Sequence, residues 1–143
     1  MTWFRSLHIQ RQIALIYSLI LIIVAGLNFV PGIRDEQGLC FGIFELDPFD
    51  DLLHLGSALW ALGAAIVSVR AARIFLVVFG ALYLGDGAIG FLTAYGYLDF
   101  GIFRYDLLGL DLSISRVLAN LPHIALGGYA LWAGMFLRRD ANA

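Results

Sequence analysis

Phe41-Gly42-Ile43-Phe44 leads through Leu46-Asp47 into Asp51-Leu52-Leu53-His54, and the pattern returns as Phe100-Gly101-Ile102-Phe103, Leu110-Asp111 and Asn120-Leu121-Pro122-His123. Each copy sets an acid or amide three residues before a histidine. From Phe44 to His54 is ten positions and from Phe103 to His123 is twenty, so the second copy carries a ten-residue insertion. Beyond the histidines small residues fall in step: Ala58, Ala61 and Ala65 after the first, Gly127, Ala130 and Gly134 after the second. Self-similarity of this kind marks a duplicated supersecondary unit. The chain reads as repeat one, about residues 11–70, and repeat two, about residues 71–139, within one transmembrane domain over 1–143.

The 143 residues are 61% hydrophobic, with a mean hydropathy of +0.85, above the apolar share of ordinary soluble domains. Four apolar stretches, Ile13–Val30, Leu52–Val69, Ile74–Tyr95 and Val117–Leu137, match the roughly 17–25 residues that cross a hydrocarbon core. Lipid offers no partner to a backbone N–H or C=O, so such segments span as helices. The first run follows Arg5 and Arg11 as a secretory signal would. It is too long for one and has no small-x-small cleavage site, so it reads as a retained span. The expected fold is an all-α membrane protein whose four transmembrane helices form two parallel-repeated helical hairpins packed as a bundle. Both repeats start on the same side, which places His54 and His123 at similar depth.

Arginine supplies every strongly basic side chain. Arg5, Arg11, Arg70, Arg73, Arg138 and Arg139 flank one side, against Arg34, Arg104 and Arg116 on the other. That bias puts both termini in the cytoplasm. Nine of the eleven acids, Asp35, Glu36, Glu45, Asp47, Asp50, Asp51, Asp99, Asp106 and Asp111, fall in the two outer loops. Such a face disfavours nucleic acid and tolerates cations. Cys40 is the single cysteine, which excludes an internal disulfide or a multi-cysteine metal site.

Residues 1–11, with Trp3, Phe4 and Leu7 among arginines, suit a short interfacial helix. Asp47-Pro48 marks the start of the second span, with Asp47 as N-cap and Pro48 at the first helical position. Ser113 or Ser115 is expected to cap the fourth, leaving Pro122 inside it as a kink, and the insertion is expected to form a short surface helix.

Steps of three and four expose one small or polar stripe per span: Ala14, Ser18, Leu21, Ala25, Asn28; His54, Ala58, Ala61, Ala65, Ser68; Phe79, Tyr83, Asp86, Gly90, Thr93, Tyr97; and His123, Gly127, Ala130, Gly134. Small residues permit close helix approach and polar ones need partners, so the stripes are expected to face one another. Two imidazoles at one depth can ligate haem iron or another metal. They can equally fasten the loops, by bonding a loop carbonyl or by bonding Asp51 and Asn120 three residues earlier. Asp86, between Gly85 and Gly87, has no acidic counterpart in the first span. An intramembrane acid marks a proton or substrate path, or joins helices, here through Tyr83, Asn28 or a histidine.

Gly42-Ile43-Phe44, Leu46-Asp47 and Asp51-Leu52-Leu53-His54-Leu55 resemble the signature of a bacterial four-helix integral membrane family, domain of unknown function 4383. There a Gly-hydrophobic-Phe turn leads to Asn-x-x-His-Leu at the start of the second helix, with an echo before the fourth. Asn120 and His123 look like that echo, while Asp51 stands in place of the usual amide and Asp47 where another Asn is expected. The resemblance covers most of the chain and implies a fold and a location in the bacterial inner membrane rather than an activity.

No nucleophile with an adjacent base and oxyanion site stands out. The leading expectation is a non-catalytic structural or interaction subunit without a cofactor, partnered by the lipid bilayer and by other membrane subunits or a second copy. A second reading holds haem, a metal or a quinone through His54 and His123. A third is a small proton- or cation-linked transporter using Asp86.

Overall fold

The computed structural model describes residues 2–44, 46–106 and 108–137; Glu45, Arg138 and Arg139, which entered the charge reading, lie outside the described residues. Among the described residues the protein is all-helical. Its elements are α1 (Thr2–Ser6), α2 (Ile9–Gly26) with a closing 3₁₀ turn at Leu27–Phe29, α3 (Pro48–Val67), α4 (Val69–Thr93), α5 (Gly101–Arg104) and α6 (Ile114–Phe136). Isolated bridges from Cys40 to Arg34 and to Phe44 pin the first long loop.

Three helices are long and apolar enough to cross a membrane: Ile9–Phe29, Pro48–Val67 and Val69–Thr93. Four spans were expected. The 23 residues of α6 have the length, but its first half carries Arg116, Asn120, Pro122 and His123, which dilute its apolar character. Exposed apolar residues such as Leu19, Ile23, Leu59, Ile66, Val78, Leu92 and Phe136 cover the flanks of the long helices, as a lipid-facing surface requires.

The helices pack as α2 on α3 and α4 on α6, and α4 also touches both α2 and α3. Most of the small-residue stripes lie in these contacts. Ala14, Ser18, Leu21 and Ala25 are buried, as are His54, Ala58, Ala61 and Ala65, Phe79, Tyr83, Asp86 and Gly90, and Gly127, Ala130 and Gly134; Asn28, Ser68, Thr93, Tyr97 and His123 are only half-buried. Tightest is α4 against α6. A Cβ added at Gly80 would collide with the backbone N of Leu131, and one at Gly127 with the backbone N of Leu84, so the two main chains touch.

The insertion does not form the expected helix. The described residues from Tyr105 to Ser113 are irregular, and the short helix α5 forms instead on the repeated tetrapeptide itself, at Gly101–Arg104. In the first copy the tetrapeptide makes a turn. Both copies nevertheless hold their leading phenylalanine in the left-handed region, Phe41 at φ 55° and Phe100 at φ 65°, a conformation that strains a residue with a Cβ by about 1 kcal/mol or more. Ser113 is the N-cap position of α6 but makes no side-chain cap bond.

Ser68 alone joins α3 to α4, and its Oγ accepts from Ala71 N at 3.0 Å. At this Ser68 end, side chains satisfy carbonyls left over at helix C-termini. Arg11 donates to Ala65 O at 2.6 Å and Ile66 O at 3.1 Å, and Arg73 to Gly134 O at 3.0 Å.

Gly127→Val is expected to force α4 and α6 apart and to destabilise by about 1–3 kcal/mol, the usual range for overpacking, read as a lower thermal midpoint in detergent. The neighbouring Gly128, whose added Cβ meets nothing within 4 Å, should accept Ala with no loss.

Candidate functional site

At the opposite end, the first turns of α3 and α6 and the two long loops enclose a cavity of about 290 Å³. Its α3 wall follows from the local sequence. Asp47 Oδ1 accepts from Phe49 N and Asp50 N at 2.7 and 3.1 Å, while Asp50 Oδ2 accepts from Asp47 N at 3.0 Å. This capping box fixes the helix start and sets Asp50 against the cavity. One turn later His54, 6% exposed, places Nδ1 2.6 Å from Asp50 O. A carbonyl only accepts, so Nδ1 carries the proton and donates.

The far wall is built on Asp86. Its Oδ1 accepts from Tyr97 N at 2.7 Å and Leu98 N at 2.8 Å, and its Oδ2 lies 2.6 Å from His123 Nδ1. The chain returns over α4 because Ala94 leaves the helix at φ 72° and because Gly96 has no side chain. A Cβ there would stand 2.6 Å from Asp86 Oδ2. Asn120, one turn before His123, donates to Arg116 O at 2.9 Å and fits against Gly90, where any Cβ would strike it. The His123 ring lies 6.3 Å from the His54 ring and 5.2 Å from that of Tyr83.

Of the residues singled out in the sequence, His54, His123, Asp86 and Asn120 line the cavity. Tyr83 packs beside both histidines, and its hydroxyl reaches Ser57 Oγ at 3.5 Å rather than Asp86. Asp86 joins α4 to α6 through the histidine alternative. Asn28 and Asp51 form a separate cluster: Asn28 Nδ2 is 2.8 Å from both Asp51 oxygens, and Asn28 Oδ1 accepts from Arg34 Nε at 3.1 Å. Neither histidine bonds Asp51 or Asn120. His54 uses its own helix and His123 another, so the two are not equivalent anchors.

Three further acids, Asp47, Asp50 and Asp99, line the same cavity. Asp50 stands in the first turn of α3, whereas Asp99 corresponds to Cys40 in the first copy and carries no repeat signal. The nearby bases, Arg116 in the lining and Arg104 at the rim, already have partners. Arg104 Nη1 lies 2.5 Å from Asp47 Oδ2, and Arg116 donates to Ala94 O at 3.0 Å with Asp111 Oδ2 3.8 Å away. Partial burial pushes the Asp47 carboxyl up, but Arg104 and the N–H groups of Asp50 and Phe49 outweigh it and hold it below the usual range. Burial, reinforced by the charges of Asp86 and Asp47, raises Asp99 despite the N–H of Gly101. Among the described residues no three His, Cys, Asp or Glu side chains are placed to hold a metal ion.

No known family model, curated protein or solved structure matches the chain.

Asp86→Ala should leave the N–H groups of Tyr97 and Leu98 without their acceptor, at about 1–3 kcal/mol each if they stay dry. Hydrogen exchange should accelerate at Tyr97 and Leu98 and stay unchanged at Cys40 and Phe44. The Asp99 carboxyl titrates above its unfolded value near 3.8, so its contribution favours folding below that value and is lost as pH rises through the raised one. Asp99→Asn should therefore raise the thermal midpoint at pH 7, with the gain vanishing toward pH 4.

Proposed function

We propose that this chain is a four-span protein of the bacterial inner membrane, with both termini cytoplasmic, that receives a small cation in an outward-facing cavity without catalysing a reaction. The observation that carries this reading is the charge of the cavity: Asp47, Asp50, Asp86 and Asp99 line it against one guanidinium, Arg116, which donates to Ala94 O, while Arg104 is drawn off to Asp47 at the rim. Low-dielectric walls concentrate that field on whatever enters. The cavity opens at the loop end, which the arginine bias makes the outer face.

Several features favour four spans arranged as two parallel hairpins. The α2–α3 and α4–α6 pairs pack together, the left-handed Phe41 and Phe100 echo one another, and 23 residues of helix reach about 35 Å. The resemblance to domain of unknown function 4383 points the same way.

Binding is favoured over carriage because the bundle below the site is filled by Phe75, Phe79, Leu76 and Leu21, each no more than 1% exposed. It is favoured over catalysis because the aliphatic hydroxyl in the lining, Ser115 Oγ, pairs with Ser113 Oγ at 3.2 Å and not with a histidine. A volume near 290 Å³ sits at the lower edge of small-molecule sites, roughly 300–1,000 Å³, and suits a small cation better than a porphyrin. An interaction subunit and a cation receptor are compatible roles for the same chain.

Two measurements test this. Cys40 is fully buried, so a reporter cysteine belongs at exposed Glu36 in a Cys40→Ala background. An impermeant thiol reagent should label it in intact spheroplasts, and labelling only after permeabilisation would invert the topology. Methylammonium chloride should raise the thermal midpoint above that in sodium chloride of equal ionic strength, and Asp50→Asn/Asp99→Asn should abolish the difference. No difference in the wild type would refute the cation reading.

A further inference from the structure

The hydrogen bonds at the cavity floor go beyond the sign of the ligand to its chemistry, an inference that rests on the cation reading above. His54 Nδ1 faces the carbonyl of Asp50 at 2.6 Å, which fixes its proton on Nδ1. The neutral ring then carries a lone pair on Nε2. His123 Nδ1 faces Asp86 Oδ2 at 2.6 Å, and Asp86 Oδ1 already accepts two backbone N–H groups. Three donors converging on one carboxylate place a proton on Nδ1 of His123, so that in the neutral ring its lone pair is also on Nε2.

Neither Nε2 has a hydrogen-bond partner among the described residues, yet no buried side-chain nitrogen or oxygen there lacks one. The cavity is the space that both rings line, with no described side chain or backbone group bonded to either Nε2. Beside them stand carboxylates. Asp50 and Asp99 each commit one oxygen to a backbone N–H, of Asp47 and of Gly101, leaving the other oxygen to accept. Arg116, the one guanidinium in the lining, is already donating to Ala94 O.

We infer that the cavity is a site for a small organic cation bearing several N–H donors, a primary ammonium or a guanidinium, which donates to Nε2 of His54 and of His123 and to the carboxylates of Asp50 and Asp99. A volume near 290 Å³ holds about ten waters at roughly 30 Å³ each, enough for an ammonium group on a short stem. A quaternary ammonium carries the same charge but no N–H, so it would leave both imidazole lone pairs dry and unpaired, a mismatch that penalises binding strongly. A bare metal ion is served less well, since the side chains supply two imidazoles without a third ligand placed to complete a metal site.

The test uses the full chain in detergent with methylammonium, guanidinium and tetramethylammonium chlorides at constant ionic strength. Binding is followed through the imidazole ¹⁵N resonances, with His8 as the internal control. His54 and His123 should each show a protonated Nδ1 and an unprotonated Nε2, and only the Nε2 signals should move with methylammonium or guanidinium. Tetramethylammonium should bind at least tenfold more weakly. His123→Gln, which retains an acceptor on a side chain of similar reach, should keep more of the methylammonium affinity than His123→Phe. Should either variant fail to fold, the wild-type nitrogen shifts and the ratio of the two ammonium affinities still decide the matter. Equal binding of methylammonium and tetramethylammonium would overturn the donor-directed inference while leaving a cation site standing. Binding of neither would overturn the cation reading as well. Tight one-to-one uptake of Zn²⁺ that shifts both Nε2 nitrogens would overturn the inference in favour of a metal.

Discussion

One carboxyl group organises the loop end. Asp86 is 2% exposed and sits two turns inside α4, yet all of its direct partners come from elsewhere: two main-chain N–H groups of the returning loop and the imidazole of α6. A buried carboxylate is tolerable only when its acceptors are filled, and here filling them requires the loop to lie across α4 and α6 to stand at a fixed rotation. Gly96 and Gly90 are the clearances that permit it, one for the loop and one for Asn120. The cavity, its histidine orientation and the left-handed turn at Ala94 all follow from satisfying this one side chain.

The second constraint is the contact of main chain with main chain through Gly80 and Gly127. In lipid, apolar side chains gain little by turning from solvent to neighbour, so close approach and dispersion decide which helices pair. The pair with the closest backbones also carries the Asp86–His123 link, so packing deep in the bundle sets the register of the polar site near its end.

Hydrophobic runs and periodicity located the long helices and the burial of most of the small stripes, and capping chemistry the Asp47-Pro48 start, because each is a local or single-face property of the chain. They also brought His54, His123, Asp86 and Asn120 forward as candidates, since polar groups in apolar runs demand partners. What they did not show was who partners whom. Of the three partners the sequence offers Asp86, namely Tyr83, Asn28 and a histidine, it takes the histidine, while Asn28 holds Asp51 and Arg34. The two histidines hold matching places in the repeat, yet one answers to a carbonyl and the other to a carboxylate. These are long-range choices, set by loop paths through Ala94, Gly96 and Phe100 that leave no periodic trace. The identical tetrapeptides make the same point. One folds as a turn and the other as a short helix, although both begin from the same unusual backbone angle.

The single-residue connection at Ser68 has a mechanical consequence. Around it, Arg11 ties α2 to α3, Gln10 ties α2 to α6 with bonds of 3.4 and 3.5 Å to Gly134 O and Ala133 O, and Arg73 ties α4 to the same end of α6. Opposite lie two long, irregular loops held to the helices chiefly by side chains. The α2–α3 and α4–α6 arms are thus joined covalently by one residue, and the bonds around it fix their spacing at the end away from the cavity.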